Sequence, residues 1–177
     1  MNKIIDQTFK VAIYLRLSKE DDDLSCSSGA KSESNSISNQ RKLIYDFMKS
    51  HPELELYDEY KDDGKSGSNF DRAEFQRMMK DIEAGKVNCV VVKDQSRFGR
   101  DYIDVGKYKE KIFPKLGVRF ITINEGYDSL SATSSDDLAF TINSFVYDFY
   151  IRDISTKIRT NLTAKKQNGE YAGAFVA

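Results

Sequence analysis

The sequence predicts an α/β fold with a central, mostly parallel, four- to five-stranded sheet flanked by helices. Short apolar segments rich in β-branched residues recur between Val11 and Ile123. Between them, apolar residues are spaced three and four apart, as in amphipathic helices that connect one parallel strand to the next. After residue 133 the strand signals stop and one long helical pattern follows. A chain of 177 residues is long enough for one such domain with its own core.

Four segments are predicted to be strands: Val11–Leu17, Glu53–Tyr60, Val87–Val92 and Val118–Ile123. The third is an almost continuous apolar run, which is typical of a strand buried on both faces. The segments predicted to be helices between them are Ile37–Ser50, Asp71–Ala84 and Tyr102–Leu116. Gly85 and Gly117 follow the last two as helix-ending residues, and Pro114 is expected to kink or shorten the third helix.

The final helical pattern begins at the capping cluster 134–137 and contains no proline or glycine through Gln167. A helix of about thirty residues would be roughly 45 Å long, more than a domain of this size needs for its own core. We therefore expect a partner along the helix, with the first half covering the sheet. The alternative is two helices that break near Arg152–Asp153. The apolar series of this segment is Leu138, Ile142, Phe145, Phe149, Ile154, Ile158 and Leu162.

The composition argues against several classes of protein. A single histidine, His51, leaves little basis for a His-rich metal site or a Ser-His-Asp triad. Cys26 and Cys89 form no CxxC pattern, which argues against a zinc module or a disulfide framework. No apolar stretch is long enough to cross a membrane and the amino-terminal segment lacks an apolar signal region, so a cytoplasmic location is expected. The net charge of −1 argues against a domain that grips DNA by overall charge.

The first predicted strand ends in a group of polar residues. Period-2 alternation puts Tyr14, Arg16 and Ser18 on one face, at the carboxyl edge where open α/β sheets bind ligands. An arginine on a mostly buried face is costly unless it meets an anion. The alternative is that Ser18 only turns the chain and Arg16 pairs with an internal carboxylate.

Two further polar segments follow the second and third strands. In residues 61–72, a P-loop is excluded because Glu59 stands where that motif needs its first glycine. What remains is a glycine-rich turn that delivers Asp63, Ser66 and Arg72, or an ordinary surface turn with Asp71 as the helix cap. In residues 93–100, Arg97 and Arg100 lie three apart, so a helical turn would put them on one side. Together with Arg16 and Arg72 they would place four guanidinium groups beside a serine, which suits a phosphate. Taken alone, Arg97 or Arg100 is better interpreted as a solvated charge in a loop.

Taken together, these motifs resemble the catalytic domain of the serine site-specific recombinases, the resolvase/invertase superfamily. The resemblance covers nearly all of residues 10–170 and is strongest to the large transposon- and phage-encoded members. It implies a resolvase-like three-layer fold. The matching motifs are Tyr14-x-Arg16-x-Ser18, Asp63-x-x-Ser66-Gly67, Asp71-Arg72, Ser96-Arg97-Phe98-Gly99-Arg100 and Tyr150–Ser155.

The resemblance implies a metal- and ATP-independent reaction without a cofactor. Ser18 would be the nucleophile that attacks a DNA phosphodiester and forms a 5′-phosphoserine intermediate. The residues that would bind the scissile phosphate are Arg16, Arg72, Arg97 and Arg100. The matching supporting positions are Tyr14, Gln40, Asp63 and Ser66, with Lys80 as a looser match. Small resolvases carry Asp where this chain has Ser96, so a general acid or base role for that carboxylate does not carry over.

The resemblance also implies the partners: double-stranded recombination sites, a homodimer and a homotetramer that exchanges strands to integrate or excise a mobile element. Its interface residues would be Phe145, Phe149, Ile154, Ile158 and Leu162. Residues 157–166 carry four Lys/Arg and no acid. The predicted division is a catalytic unit in 1–133, a long interface helix in 134–168 and, in 169–177, the start of a linker to a missing DNA-binding region. This fragment alone is expected to have little or no activity.

The alternative function is a non-catalytic regulatory module of the flavodoxin or receiver type. In that hypothesis the acidic run Glu20–Asp23 would bind a divalent ion. The regulatory-module hypothesis does not explain why arginines stand at the ends of three strands.

Overall fold

The structure, a computed structural model, describes residues 8–17, 35–62, 72–99 and 101–169. They form a five-stranded sheet in the order β2-β1-β3-β4-β5. The strands are β1 (Phe9–Arg16), β2 (Leu54–Asp62), β3 (Cys89–Val92), β4 (Arg119–Thr122) and β5 (Tyr127–Asp128). The first four are parallel and β5 pairs antiparallel with β4, so the predicted mostly parallel sheet is confirmed.

The helices are α1 (Asn35–Lys49), α2 (Ala73–Glu83), α3 (Gln95–Phe98), α4 (Tyr102–Lys107), α5 (Phe113–Leu116) and α6 (Ser134–Gln167). The sequence predicted one helix over 102–116, whereas a π-helical turn at Tyr108–Ile112 separates α4 from α5. Pro114 lies in the first turn of α5, directly after that π-helical turn. The sequence analysis did not predict α3, because one turn has too few residues to show a periodic pattern.

Both faces of the sheet are covered, because alternate side chains of β1 enter two separate cores. Val11, Ile13 and Leu15 pack with Ile37 and Ile44 of α1. On the opposite face, Ala12 and Tyr14 pack among side chains that include Phe75 of α2, Phe98 of α3 and Phe113 of α5. The sheet is therefore the middle of three layers, and its carboxyl edge lies between them.

α6 is one unbroken helix of 34 residues, about 51 Å long, so the predicted single helix is confirmed and the break near Arg152–Asp153 is not found. It starts at a capping box formed by Thr133 and Asp136. Its first turns dock on the domain: Phe140 is buried in the core and Asp137 forms an ion pair with Lys109 at 2.8 Å. Among the described residues, no helix is long and apolar enough to span a membrane.

The apolar residues of the predicted series fall into two groups on opposite sides of α6, and the exposed Val146 and Tyr150 lie between these groups around the axis. At about 100° per residue, Phe149 and Ile154 lie roughly 140° apart around the axis. The outer stripe (Leu138, Ile142, Phe145 and Phe149) is exposed, and Phe145 also packs edge-on against the Tyr102 ring of α4 at a centroid distance of 5.7 Å. The distal stripe (Ile154, Ile158 and Leu162) lies on the same side as the buried Phe140 and Ser144, beyond the end of the core. The first half of α6 packs on the domain as expected, but through Phe140 and Ser144, whereas Phe145 and Phe149 of the predicted series are exposed.

Candidate active site

The single turn α3 lies at the carboxyl edge of the sheet and organises the polar residues there. Asp94 begins it as the N-cap, and its carboxylate accepts hydrogen bonds from the Arg97 N–H at 3.0 Å and the Ser96 hydroxyl at 2.6 Å. With the start of α3 capped, three backbone carbonyls from its last residues accept hydrogen bonds from arginine side chains. Asp94 was not among the predicted site residues, although an aspartate before a helical turn is a recognisable capping signal.

Arg16 extends from the end of β1 to two of these carbonyls. Its Nε donates to the Arg97 oxygen at 3.0 Å and its Nη2 to the Ser96 oxygen at 2.6 Å. In return, an Arg97 Nη1 group lies 3.5 Å from the Arg16 oxygen. Gln40 of α1 brackets the Arg16 backbone, donating to its oxygen at 3.2 Å and accepting from its N–H at 3.4 Å. With 1% of its surface exposed, Arg16 is held against α3 by these hydrogen bonds.

Arg72 reaches the third carbonyl from the start of α2. Its Nη2 donates to the Phe98 oxygen at 2.9 Å and its Nη1 to the Tyr14 hydroxyl at 2.6 Å. The Phe75 ring lies beside the guanidinium, with its centroid 5.3 Å from Cζ. Three arginines from three different segments therefore meet around one helical turn.

Asp62, the last residue of β2, connects Tyr14 to the start of α2. Its carboxylate accepts hydrogen bonds from the Tyr14 hydroxyl at 2.9 Å, the Phe75 N–H at 3.0 Å and the Glu74 N–H at 3.2 Å. Burial raises the pKa of Tyr14, so its hydroxyl stays protonated and can donate to Asp62 while it accepts from Arg72. The sequence analysis named the neighbouring Asp63 instead. The available signal was strand alternation, which puts Asp62 on the buried face with Tyr60.

Replacing Asp62 by alanine is expected to destabilise the fold by about 2–4 kcal/mol, because the Tyr14 O–H and two N–H groups at the start of α2 lose their acceptor. Chemical denaturation measures the change. Asp58→Ala is the matched control, since Asp58 lies on the same strand but is half-exposed and pairs with Arg77 at the surface. Equal losses for the two variants would contradict the role assigned to Asp62.

The other predicted site residues fall into two groups. Ser18, Asp63, Ser66 and Arg100 lie outside the described residues. Lys80 is exposed in the last turn of α2, about 12 Å along the helix axis from Arg72, and is not brought to the arginines.

Two other reactive side chains do not join this site. Burial raises the pKa of the Cys89 thiol to about 12, so it is no nucleophile at neutral pH. His51 stacks on Phe47 just before β2 begins, at the opposite edge of the sheet from the arginines.

The family model described as the resolvase N-terminal domain matches residues 11–171. The chain belongs to the resolvase family. Resolvase-family recombinases act on DNA, and this resolvase domain is the catalytic domain of a site-specific DNA recombinase. Family membership does not favour the alternative of a non-catalytic regulatory module.

Solved structures agree with this assignment. The N-terminal catalytic domain of TP901-1 integrase is 27% identical, with a TM-score of 0.60 over 81% of this chain and 97% of that chain. A resolvase family site-specific recombinase from Streptococcus pneumoniae is also 27% identical, with a TM-score of 0.56 over 90% and 99% of the two chains. A serine recombinase from Sulfolobus solfataricus shares the fold at 18% identity, with a TM-score of 0.50 over 93% and 90%. No curated protein matches the sequence significantly.

Proposed function

We propose that this resolvase domain cleaves DNA through Ser18. The Ser18 oxygen forms a bond to the phosphorus as the bond from phosphorus to the 3′ oxygen breaks. The Ser18 hydroxyl loses its proton and the leaving 3′ oxygen takes one up. The products are a 5′-phosphoserine ester and a 3′-hydroxyl. Because one ester replaces another, rejoining by the reverse attack needs no ATP. The observation that carries the proposal is the meeting of Arg16, Arg72 and Arg97 around α3, at the end of the strand that leads into Ser18.

The three arginines have the chemistry that this reaction needs. The phosphate passes through a five-coordinate state in which negative charge builds on its oxygens, and guanidinium groups fixed beforehand stabilise that charge without reorganising. In our proposal Arg100, the second residue after Phe98, joins them. Tyr14 and Gln40 act as positioning residues, since they hold Arg72 and the Arg16 backbone. Ser96 is held by Asp94, and Asp63 and Ser66 remain predicted supporting residues.

A DNA duplex nicked near the crossover point tests this chemistry, because loss of the small fragment traps the covalent intermediate. The full-length protein is expected to form a protein–DNA adduct in the presence of EDTA, with the phosphate mapped to Ser18 by mass spectrometry. An adduct at another residue, or one that requires Mg²⁺, would show that the proposed mechanism is wrong.

We further propose that α6 assembles the recombinase into a homodimer and a homotetramer. The outer and distal stripes leave large apolar side chains in solvent on opposite sides of one helix, and Phe149 is 65% exposed. A single partner helix cannot cover both sides, whereas a dimer contact and a second contact between dimers can. In this proposal residues 1–133 form the catalytic unit and 134–168 the interface helix. The basic segment 157–166 lies at the far end of α6, where it would meet the DNA.

Phe149→Glu is expected to weaken self-association at least about tenfold, because it places a charge in a desolvated apolar contact. Sedimentation velocity over a concentration series measures the change. Asn143→Glu is the matched control, since Asn143 is exposed on the same half of α6 but lies roughly 120° from Phe149 around the axis. Unchanged association of Phe149→Glu would contradict a contact through the outer stripe.

A further inference from the structure

A buried hydrogen bond connects α6 directly to the first residue of α3. The Gln95 amide Nε2 donates to the Ser144 hydroxyl, and that hydroxyl donates in turn to the Phe140 carbonyl one turn earlier in α6 at 3.0 Å. Gln95 is 3% exposed and Ser144 5% exposed. The contact therefore lies between the two helices and is sheltered from water.

The two side chains are a costly way to pack two helices. The other amide atom of Gln95, Oε1, is buried without a hydrogen-bond partner among the described residues. A buried acceptor without a partner costs free energy, whereas two apolar side chains of similar shape would pack there without that cost. Packing alone therefore does not account for this pair.

All three arginines are attached to α3. Arg97 belongs to it, Arg16 is bound to its Ser96 and Arg97 carbonyls, and Arg72 to its Phe98 carbonyl. The backbone N–H of Gln95 donates to the carboxylate of Glu125, which follows β4, at 3.1 Å. Gln95 is therefore bound through its backbone to the turn after β4 and through its side chain to α6. A shift of α6 along or around its axis would move Gln95, and with it the carbonyls that orient the arginines.

We propose that Gln95 and Ser144 form a positioning pair through which α6 sets the arrangement of the phosphate-binding arginines. The proposal rests on the function proposed above, and it adds the means of regulation: the assembly state of α6 is transmitted to α3. A second copy of the chain that covers the outer stripe would contact the opposite face of the α6 turn that carries Ser144. Neither side chain contacts the DNA phosphate in this role.

The first test is spectroscopic and needs no DNA. In the full-length protein, the Arg16 Nε–H donates to α3, so its nitrogen–proton resonance reports the position of that turn. Ser144→Ala is expected to shift this resonance. Thr141→Ala is the matched control, because the Thr141 hydroxyl makes the same one-turn bond within α6, to the Asp137 carbonyl, and is exposed. An unchanged Arg16 resonance in Ser144→Ala, or an equal shift in Thr141→Ala, would overturn the proposal.

The second test separates positioning from stability. Gln95→Met/Ser144→Ala removes both polar partners, so it avoids the unpaired amide that destabilises Ser144→Ala alone. We expect the melting temperature of this double variant to return to the wild-type range. Its rate of DNA cleavage at saturating DNA should still be at least about tenfold below the wild-type rate. Cleavage that recovers together with stability would show that the pair is merely structural. If the wild-type protein forms no Ser18 adduct, the proposed function fails, and the Arg16 resonance still decides the coupling.

Discussion

Ser18→Ala is expected to abolish the covalent protein–DNA adduct, with a loss in cleavage rate of at least about 10³-fold. Alanine removes the only atom that can form the ester and leaves the arginines able to bind phosphate. DNA binding by a mobility shift should therefore persist while cleavage of the nicked duplex disappears. This combination separates loss of the nucleophile from loss of the fold.

Ser50→Ala is the control for this experiment. Ser50 is exposed at the end of α1, where its hydroxyl donates to the Phe47 carbonyl, and it lies at the amino edge of the sheet, away from the arginines. It should cleave at the wild-type rate. An adduct that persists in Ser18→Ala would assign the nucleophile to another residue and would remove the basis of the proposed mechanism.

Arg72→Lys is expected to slow adduct formation by about 10²- to 10³-fold at saturating DNA. A lysine keeps the positive charge but has one nitrogen, which cannot reach the Tyr14 hydroxyl and the Phe98 carbonyl together and still face a phosphate. The loss should therefore fall on the rate of the chemical step more than on DNA affinity. Single-turnover cleavage over a DNA concentration series measures both quantities.

Arg77→Lys is the matched control, because Arg77 lies on α2 as well and its guanidinium pairs with Asp58 and Glu74 near the surface. Wild-type rates in both variants would mean that the guanidinium geometry at Arg72 does not contribute to catalysis. If both variants slow cleavage equally, the effect comes from destabilising α2. Melting temperatures of the two proteins distinguish these outcomes.

Much of the fold and of the candidate site could be predicted from local sequence patterns. Alternation along β1 was enough to put Tyr14 and Arg16 on one face, because successive strand residues point to opposite sides. The order of strands and helices was enough for a parallel sheet, whose carboxyl edge gathers the residues that follow β1 and β3. Capping residues and the lack of proline or glycine were enough for the unbroken α6.

Other features depend on contacts between segments far apart in sequence. Strand alternation indicates that Asp62 rather than Asp63 faces inward, but it is the packing of β2 beside α2 that brings the Asp62 carboxylate to the Tyr14 hydroxyl and the helix N–H groups. Likewise, nothing local to Gln95 indicates that its amide meets Ser144 on α6. The apolar residues of α6 could be read as one series until the buried positions of Phe140 and Ser144 showed which side faces the domain.

By itself the sequence determined the fold class, the long helix and the concentration of arginines at strand ends, because each follows from short-range periodicity or from the chemistry of one residue type. Only the tertiary structure decided which groups hold those arginines. Arg16 and Arg72 are oriented by backbone carbonyls of α3, and Arg97 donates to the carbonyl of Arg16; every residue has a carbonyl. Their use as hydrogen-bond partners therefore leaves no mark in the sequence, and it emerges only when β1, α2 and α3 pack together.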